Sequence, residues 1–516
     1  MEPFTYFLPS ALNQKRLLKK LPSAAQYRIS FETSEKWQGL LLDTFDEKML
    51  HAGNLLFQVD ERLLCLDLQN GQLIEQLSPE KWSFAGDLPD GPVKDLLNQI
   101  STLRAFLPMA EVGLSLLHGL LLDEEEKTRA RFYHLSIERG RKSAGVGSTQ
   151  YLRGYDQAQV DLRRSLEKIG AVSCQDVGQV YDFLKIKREK YTSKPTLLLH
   201  PDAPVKENAI IIINAFMKTA RRNESGVVAD YDTEFLHDYR VSLRKVRSVL
   251  SLFKGVFSAE DTTRLKQDFA SLMQKTNTLR DLDVYLLNKE QYFELVPATT
   301  HEGLNILFAY FAGERKKEQS LVGKVIQSKI YLKEIGRLEK LFTKSSALPV
   351  GQRGEENSLA FACTSVLKRY GKVCKIARGI DENTEDSVIH QLRINCKKLR
   401  YLMEFFTPLF PENEINTLIK ALKLLQDNLG NFNDYSVQQR FLKQVLSEKM
   451  PRFGGVELKV AESVGALTAM LHRLQQKERR QVMKNFALFD NLDTRATFAK
   501  LFHTEESVDE NNSLLQ

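Results

Sequence analysis

The pattern of apolar and polar positions changes character near residue 200. Before that point, short apolar runs alternate with turn residues, which predicts β-strands. After it, apolar residues recur every three to four positions and proline is rare, which predicts amphipathic helices. The stretch PTLLLHPDAP at 195–204 holds three prolines and is typical of a linker. We therefore predict an α+β chain with an antiparallel β domain at 1–194, a linker at 195–204 and an all-α domain at 205–503.

The first part predicts an antiparallel sheet with flanking helices. We expect strands at 26–31, 37–42, 54–59, 63–68, 73–77, 110–115, 118–122 and 131–137. Asn70 and Gly71 suit the turn between the fourth and fifth of these strands, because Asn-Gly favours a two-residue hairpin. Helices are expected near 93–103, 151–170 and 177–189, and the glycines at 145 and 147 are assigned to a polar loop.

The second part predicts a succession of helices. We expect them at 205–222, 232–253, 261–289, 300–313, 314–343, 355–378, 385–406, 412–429, 434–446 and 456–488. The last residues, 504–516, are acidic and polar, and this composition is typical of a disordered tail.

One helix of the second part occurs twice, as HDYRVSLRKVRSVLSLF at 237–253 and as HQLRINCKKLRYLMEFF at 390–406. A helical residue advances by about 100°, so the basic residues of each copy form one stripe while the apolar residues fill the opposite side. The first stripe contains His237, Arg240, Arg244 and Arg247, with Lys245 at its flank; the second contains His390, Arg393, Lys397 and Arg400, with Lys398 at its flank. Lys423, on the following helix, is placed to reach the same region.

The two copies lie 153 residues apart, and the same offset relates Asp281 to Asp434 and Val284 to Val437. A fixed offset that extends across two helices and their connection indicates an internal duplication. We therefore expect two pseudo-symmetric helical bundles, with the first repeat at about 205–345 and the second at about 355–503.

The charge pattern indicates an anionic partner for these stripes. Residues 1–200 contain equal numbers of basic and acidic residues, 26 of each, so the whole net charge of +7 lies after residue 200. Between Tyr239 and Phe253 there are four cations and no acid. A solvated helical face normally mixes both signs, whereas an unpaired basic stripe attracts a polyanion.

Composition predicts a cytoplasmic protein of several domains. The chain has 516 residues, enough for two to four domains. Its five cysteines show no paired spacing, which favours a reducing compartment. The N-terminal segment lacks the pattern of a signal peptide, and no apolar run approaches the roughly 20 residues that span a bilayer.

The sequence predicts no cofactor, no metal and no catalytic residue. Nucleotide-binding glycine loops, a nucleophile elbow and Cys-x-x-Cys are all missing. We expect no metal at His237 or His390, because we see no second His, Cys or carboxylate pair at helical ligand spacing. The alternatives left open for these histidines are a capping or core role, and a phosphate contact. Asp281 and Asp434 are expected to orient arginines through salt bridges.

These motifs resemble the conserved-histidine α-helical domain, CHAD, a tandem repeat of two helical bundles. The resemblance rests on HDYRVSLRKVRS with LRDLDV in the first half, and on HQLRINCKKLRYLMEFF with LKLLQDNLGNFND in the second. The first half has Thr276 and Asn277 where the family usually has Leu and Gly. The resemblance implies that the basic stripes face one another around a central channel that binds inorganic polyphosphate, and association with polyphosphate granules would follow.

The first part resembles the CYTH fold, the triphosphate-tunnel barrel that often precedes a CHAD domain. The resemblance rests on LLLDTFDEKMLHAGNLLFQVDERLLCLDL and on YLRGYD followed by a helix. The Glu-x-Glu-x-Lys start of that family is missing, since the strand that begins at Gln26 offers Gln26, Arg28 and Ser30 at those places. Tunnel enzymes need carboxylates to hold a divalent metal, so we predict an inactive, structural descendant.

The favoured function is therefore non-catalytic polyphosphate binding by the two basic stripes. One alternative is a triphosphate hydrolase that acts through the N-terminal domain, which would need inward carboxylates and lysines in the first strands. The other is nucleic-acid binding, which would need aromatic residues among the cations for base stacking. The stripe of Arg240, Arg244 and Arg247 contains none.

Overall fold

The computed structural model describes residues 3–9, 17, 19, 21, 27–32, 35–174, 176–343, 348–381, 383–449 and 454–503. The chain separates into two compact units, residues 1–192 and 193–516. Gln26 and the predicted disordered tail at 504–516 lie outside the described residues. Within the described part of the chain, no helix has an apolar stretch long enough to cross a bilayer.

The first unit is built on an antiparallel sheet. Its strands are β1 (Thr5–Leu8), β2 (Arg28–Phe31), β3 (Glu35–Thr44), β4 (Asn54–Val59), β5 (Arg62–Asp67), β6 (Gln72–Leu77), β7 (Phe106–Leu122), β8 (Thr128–Arg139), β9 (Lys142–Gln150) and β10 (Val172–Ser173). The spatial order is β10-β1-β9-β8-β7-β3-β4-β5-β6, and β2 also pairs with β7. The helices are α1 (Lys48–His51), α2 (Pro92–Ile100), α3 (Asp156–Lys168) and α4 (Gly178–Phe183).

One face of the sheet carries a continuous apolar core. Alternate residues of each strand share a face, and Leu55, Phe57 and Val59 of β4 illustrate this alternation. Side chains from β1, β3, β5, β7, β8 and β9 join the same cluster, and Val180 and Tyr181 of α4 pack against it. The predicted antiparallel sheet is therefore confirmed, and this face of it is filled by apolar side chains.

Three details of the predicted sheet are wrong. The first described strand is β1, not the segment that begins at Gln26. The segments 110–115 and 118–122 form one strand, β7. The glycines at 145 and 147 lie in β9, paired with β8, because only glycine fits there. A Cβ on Gly145 would lie 2.3 Å from His134 Cε1, and one on Gly147 would lie 2.2 Å from the Tyr133 carbonyl oxygen.

The second unit is helical. Its helices are α5 (Val205–Ala229), α6 (Thr233–Leu252), α7 (Ala259–Gln274), α8 (Asn277–Leu287), α9 (Lys289–Glu294), α10 (His301–Gln327), α11 (Lys329–Thr343), α12 (Ser358–Arg378), α13 (Asp386–Phe406), α14 (Glu412–Lys449), α15 (Glu457–Phe489) and α16 (Leu492–Phe502). Residues 201–204, in the predicted linker, are tied to the start of α12 by hydrogen bonds from Leu359 N to Pro201 O and from Ser358 N to Ala203 O.

The duplication is visible in the helix boundaries. Helices α5, α6 and α7 begin at residues 205, 233 and 259, and α12, α13 and α14 begin 153 residues later, at 358, 386 and 412. The two repeats share a core, in which Leu304, Leu307 and Phe311 of α10 pack with Leu442 of α14 and Leu467 of α15. The predicted pair of pseudo-symmetric bundles thus packs as one unit around common apolar contacts.

The prediction placed the helix break that follows the repeated helix in the wrong repeat. The first repeat was expected to continue through 261–289 and the second to break after residue 429, but α14 is continuous and the break lies between α7 and α8. Thr276 explains the break, because its hydroxyl donates to the Met273 carbonyl oxygen at 2.9 Å. A threonine side chain that bonds the preceding turn competes with the helical backbone. Leu429 and Gly430 stand at the equivalent positions of α14 and make no such bond.

Candidate functional site

Two contacts locate the axis that relates the repeats. The rings of Phe253 and Phe406 stack with their centroids 4.9 Å apart and an angle of 10° between the ring planes. The hydroxyl of Tyr285 donates to the Gln438 carbonyl oxygen at 3.3 Å. Each pair is separated by 153 residues, and a residue can contact its own counterpart only close to a two-fold axis. The stacked rings therefore bring the ends of α6 and α13 together at this axis.

Arg244 and Lys397 form a third pair of counterparts near the axis. The pKa of Lys397 is lowered to about 8, mainly by burial and then by the positive charges of Arg244, Arg393 and Arg400. A like charge shifts a pKa strongly only at short range. The structure thus brings the two predicted basic stripes together, and Arg244 of the first repeat faces Lys397 of the second.

We use the term basic cluster for the cations that meet here. They are Arg240, Arg244 and Arg247 of α6, Arg280 of α8, and Arg393, Lys397 and Arg400 of α13. Burial, followed by the charge of Arg244, lowers the pKa of Arg240 to about 10. The pKa of Arg280 is lowered as well, with burial again the largest cause. Burying these positive charges close together costs free energy, and a bound anion would lower that cost.

Each repeat sets one aspartate against one arginine of the basic cluster. Asp434 Oδ1 lies 3.7 Å from Arg393 Nη2. The counterparts Asp281 and Arg240 also interact electrostatically; burial raises the pKa of Asp281, and the charge of Arg240 partly opposes that rise. The salt bridge predicted for Asp434 is present, and Asp281 lies close enough to Arg240 for the two charges to interact.

Hydrogen bonds to α7 and to Thr276, which lies between α7 and α8, fix the position of Arg240. Its Nη1 donates to the Met273 carbonyl oxygen at 3.0 Å and to Thr276 Oγ1 at 2.6 Å. The break after α7 frees this carbonyl group for a side-chain donor. Arg247 Nη1 lies 3.8 Å from the sulfur atom of the same Met273. Thr276, which replaces the usual family residue in the first repeat, thus helps to fix the position of Arg240.

Besides Arg400 Nε, which lies 3.2 Å from a Glu404 oxygen in an ion pair, three guanidinium N–H groups of the basic cluster are buried without an acceptor in the described part of the chain. They are Nε of Arg244, Nε of Arg247 and Nη1 of Arg280. Buried polar groups in proteins are nearly always hydrogen-bonded, and an unsatisfied donor costs about 1–3 kcal/mol. Donors that are both buried and unsatisfied in a cationic setting indicate a place for an anionic oxygen.

A pocket of about 310 Å³ opens beside the second stripe. Its walls are Arg393, Lys397 and Arg400 of α13 and Gln426, Asp427, Gly430, Asn431 and Asp434 of α14. Gln426 Nε2 donates to the Cys396 carbonyl oxygen at 2.7 Å and so ties the two helices together. The continuity of α14 through Gly430 places a residue without a side chain at the wall. The pocket gives solvent a path to three cations of the cluster.

Lys245 is engaged by neighbouring side chains. It forms an ion pair with Glu404, and its ammonium group lies 4.3 Å from the ring centroid of Tyr401. Burial lowers the pKa of Lys245, while the charge of Glu404 opposes that effect. The other oxygen of Glu404 lies 3.2 Å from Arg400 Nε. Lys245 and Glu404 therefore join α6 to α13.

The remaining predicted site residues lie around the cluster. His390 is exposed, and its Nδ1 lies 2.9 Å from Asn433 Oδ1. His237 is half-buried and interacts with neighbouring groups. Lys423 is exposed on α14. Lys398 is half-buried on a different side of α13 from Lys397, with a separate set of cationic neighbours.

One argument against a metal ion was wrong. Glu234 and Asp238 do stand at helical ligand spacing around His237, and one donor atom of each of the three residues lies within 4.8 Å of the others. The second repeat has Ser387 and Gln391 at the positions equivalent to the two acids. The arrangement is therefore peculiar to the first repeat, and acidic groups at a helix start are common without an ion.

Two residues of the site were missed from the sequence. Arg280 was not among the predicted site residues, although it directly precedes Asp281 in the chain. Tyr401 is buried at 6% exposure, and its aromatic ring is covered by Lys245. Its position within the second stripe, one residue after Arg400, could have indicated from the sequence that Tyr401 belongs to the site.

Together, the duplicated helices and the shared basic cluster define a helical-repeat protein with a partly buried cationic site. Residues 211–443 match the family model of the CHAD domain. The chain therefore contains a CHAD domain, as the motifs predicted. The CYTH-like assignment of residues 1–194 stays a prediction: the antiparallel sheet is consistent with it, and the matched model does not extend to those residues.

Solved structures with a similar arrangement include the CHAD domain from the plant Ricinus communis. It is 24% identical, with a TM-score of 0.47, and the match covers 60% of this chain and 96% of that one. PptA from Streptomyces chartreusis is 13% identical, with a TM-score of 0.43, over 55% of this chain and 99% of that one. A search of curated proteins finds no match.

Proposed function

We propose that the chain binds inorganic polyphosphate through the basic cluster, without a chemical step. The observation that carries this proposal is the set of buried, unsatisfied guanidinium donors of Arg244, Arg247 and Arg280. The charge of Arg244 also acts on Lys397, whose pKa is lowered by burial and then by its cationic neighbours. Phosphate oxygens would satisfy the donors and neutralise the charges together. Such binding would also make association with polyphosphate granules a consequence.

A linear polyphosphate suits the cluster better than a nucleic acid does. Guanidinium groups bind phosphate oxygens in pairs, and a lysine adds a point charge. A chain of phosphates therefore needs no feature beyond successive cations. Single-stranded nucleic acids also need aromatic faces on which bases stack. Tyr401 is the aromatic residue closest to the cations of α13, and its ring is buried beneath Lys245.

The direct test is a titration of the whole chain with polyphosphate of several lengths, beside single-stranded DNA of matched charge. We expect polyphosphate to bind with an affinity that falls steeply with added salt, because binding releases counterions. DNA should bind more weakly at every salt concentration. Equal or tighter binding of DNA would refute the proposal, and so would the absence of polyphosphate binding at low salt.

Observations in both units support the proposal that the chain carries out no chemical step. Asp281 and Asp434 interact with arginines of the cluster, and Glu404 forms ion pairs with Lys245 and Arg400. In the first unit, β1 (TYFL) contains no carboxylate. Arg28 of β2 forms an exposed ion pair with Glu126 at 2.9 Å. The side chains that form the apolar core on one face of the sheet do not suit a triphosphate and its metal.

We therefore expect no release of phosphate from ATP or tripolyphosphate in the presence of Mg²⁺ or Mn²⁺. The measurement is a phosphate-release assay on the whole chain, with added metal compared against a chelator. Metal-dependent release that disappears when the N-terminal strands are disrupted would contradict this prediction and would support the triphosphate hydrolase.

Polyphosphate affinity should depend on pH through Lys397. Its pKa of about 8 in the free protein means that the ammonium group loses its proton as the pH rises through this value. A bound polyanion favours the charged form, so binding should be tightest below pH 8 and should weaken by about tenfold or more above it. Calorimetry in buffers of different ionisation enthalpy should show proton uptake on binding near pH 8.

Lys397→Arg is the matched control for this pH dependence, because arginine keeps its charge over the whole range. The variant should bind polyphosphate with little change in affinity across pH 8 and without proton uptake. An unchanged pH profile in this variant would show that another group titrates.

A further inference from the structure

One position beside the basic cluster breaks the equivalence of the two repeats. Glu404 stands one turn after Arg400 on α13, and one oxygen of its carboxylate lies 3.2 Å from Arg400 Nε. The positions 153 residues earlier hold Ser251 and Arg247. The first repeat therefore places an uncharged residue where the second places a carboxylate. Of the two equivalent arginines, Arg400 faces an internal anion and Arg247 has a serine at that position.

Lys245 of the first repeat holds Glu404 in this position. Its ammonium group pairs with the other oxygen of the same carboxylate. That ammonium group lies 4.3, 5.3 and 5.9 Å from the ring centroids of Tyr401, Phe405 and Phe216. Aromatic faces stabilise a cation at these distances, and only 13% of the Lys245 side chain is exposed. The carboxylate of Glu404 is thus anchored by a lysine that is itself enclosed by aromatic rings.

The contact between Glu404 and Arg400 lacks a hydrogen bond. Arg400 Nε is buried without an acceptor among the described residues, so the contact at 3.2 Å is an ion pair without the alignment of a hydrogen bond. Arg400 also lines the pocket beside the second stripe, together with Arg393 and Lys397. A phosphate group that enters this pocket therefore meets an arginine whose charge is already partly compensated.

A tethered carboxylate is a strong competitor for a small free anion. A group held beside its partner by a short connection acts at an effective concentration of roughly millimolar or above. A single phosphate whose binding depends on Arg400 must overcome this competition with few other contacts. A polyphosphate chain can also contact Arg244 and Arg247 of the first repeat, so the same loss removes a smaller share of its binding free energy.

We propose that Glu404 is a specificity-determining residue, an internal competitor that occupies Arg400 in the free protein and reserves the basic cluster for polyphosphate. The inference rests on the proposed function and adds to it the exclusion of single phosphate groups. Glu404 lowers the affinity of the second repeat for any phosphate group. Only a ligand that is bound to both repeats overcomes this loss.

The test exchanges the charge of the two equivalent positions in the whole chain. Glu404→Gln removes the internal anion and keeps an oxygen that can accept from Lys245. Ser251→Glu places a carboxylate one turn after Arg247, and Ser251→Gln is its uncharged control. Glu462→Gln removes one negative charge from an exposed position of α15 and controls for net charge. Phosphorus NMR titration gives the affinity of each variant for orthophosphate, calorimetry gives that for long-chain polyphosphate, and thermal unfolding checks that each variant is folded.

We expect Glu404→Gln to bind orthophosphate roughly three- to tenfold more tightly than the wild type, because the competing ion pair is lost. The gain for polyphosphate should be no larger. Ser251→Glu should bind polyphosphate roughly three- to tenfold more weakly. Ser251→Gln and Glu462→Gln should bind both ligands like the wild type.

An orthophosphate affinity that is unchanged in Glu404→Gln would overturn the inference. So would a gain that grows with the charge of the ligand, because a change in net charge would then explain the effect. If Ser251→Glu does not fold, the comparison of Glu404→Gln with Glu462→Gln decides alone. Wild-type chain that binds no polyphosphate at low salt would instead overturn the proposed function itself.

Discussion

Replacing Arg240 and Arg244 together by Ala is expected to weaken polyphosphate binding by about two orders of magnitude or more. Charge-assisted contacts to phosphate are each worth roughly 1.5 to 3 kcal/mol, and both residues belong to the basic cluster. Replacing their counterparts Arg393 and Lys397 by Ala should cost a similar amount. The measurement is the dissociation constant for polyphosphate at fixed salt and pH.

The comparison between the two double variants carries the test. Both stripes meet at the axis, where Arg244 faces Lys397, so neither repeat should bind alone. The control is Lys324→Ala/Lys329→Ala, which removes two exposed charges and should leave affinity nearly unchanged. Thermal unfolding should confirm that each variant folds, since the replaced side chains lie off the apolar face of their helices. If one double variant binds like the wild type, its repeat takes no part in binding.

Replacing Lys397 by Met is expected to stabilise the fold while weakening binding. The folded-state pKa of about 8 lies below the ordinary lysine value of 10.5. The charged ammonium group therefore destabilises the folded state at pH 7, by on the order of 1–3 kcal/mol. Methionine fills similar space without a charge. Denaturant unfolding at pH 7 and at higher pH gives the free energies to compare.

The lowered pKa of Lys397 also predicts how the free energy of unfolding changes with pH. Between pH 8 and about 10.5 the unfolded chain binds more protons than the folded one at this position, so wild-type stability should rise with pH in that window. The advantage of the methionine variant should be largest below pH 8 and should vanish above about 10.5. The exposed Lys423→Met should change stability by less than about 0.5 kcal/mol. A methionine variant less stable than the wild type at pH 7 would contradict the account.

The sequence was sufficient for the duplication and for the elements that carry the basic stripes. A constant offset of 153 residues predicts equivalent helices, and the observed helix starts at 205, 233 and 259 recur with that offset. The alternation of cations and apolar residues along α6 and α13 predicts which side is buried. Both signals are local or periodic, so they can be recognised without knowledge of tertiary contacts.

The sequence was insufficient where a distant partner decides the outcome. Glycine usually marks a turn, yet Gly430 lies inside α14. The glycines at 145 and 147 lie in strand β9, where close neighbours exclude larger residues. Lys245 has the same local pattern as Lys398, but Glu404 of the other repeat neutralises only Lys245. None of these features has a periodicity that a single sequence could reveal.

The most direct test of the central claim, one polyphosphate site shared by both repeats, is the stoichiometry of binding of a short oligomer. Isothermal titration calorimetry of the whole chain with an oligomer too short to bridge two protein molecules would give the number of sites. We predict one site per chain, lost in either double variant of the basic cluster. Two independent sites per chain, each removed only by the variant in its own repeat, would contradict the shared site.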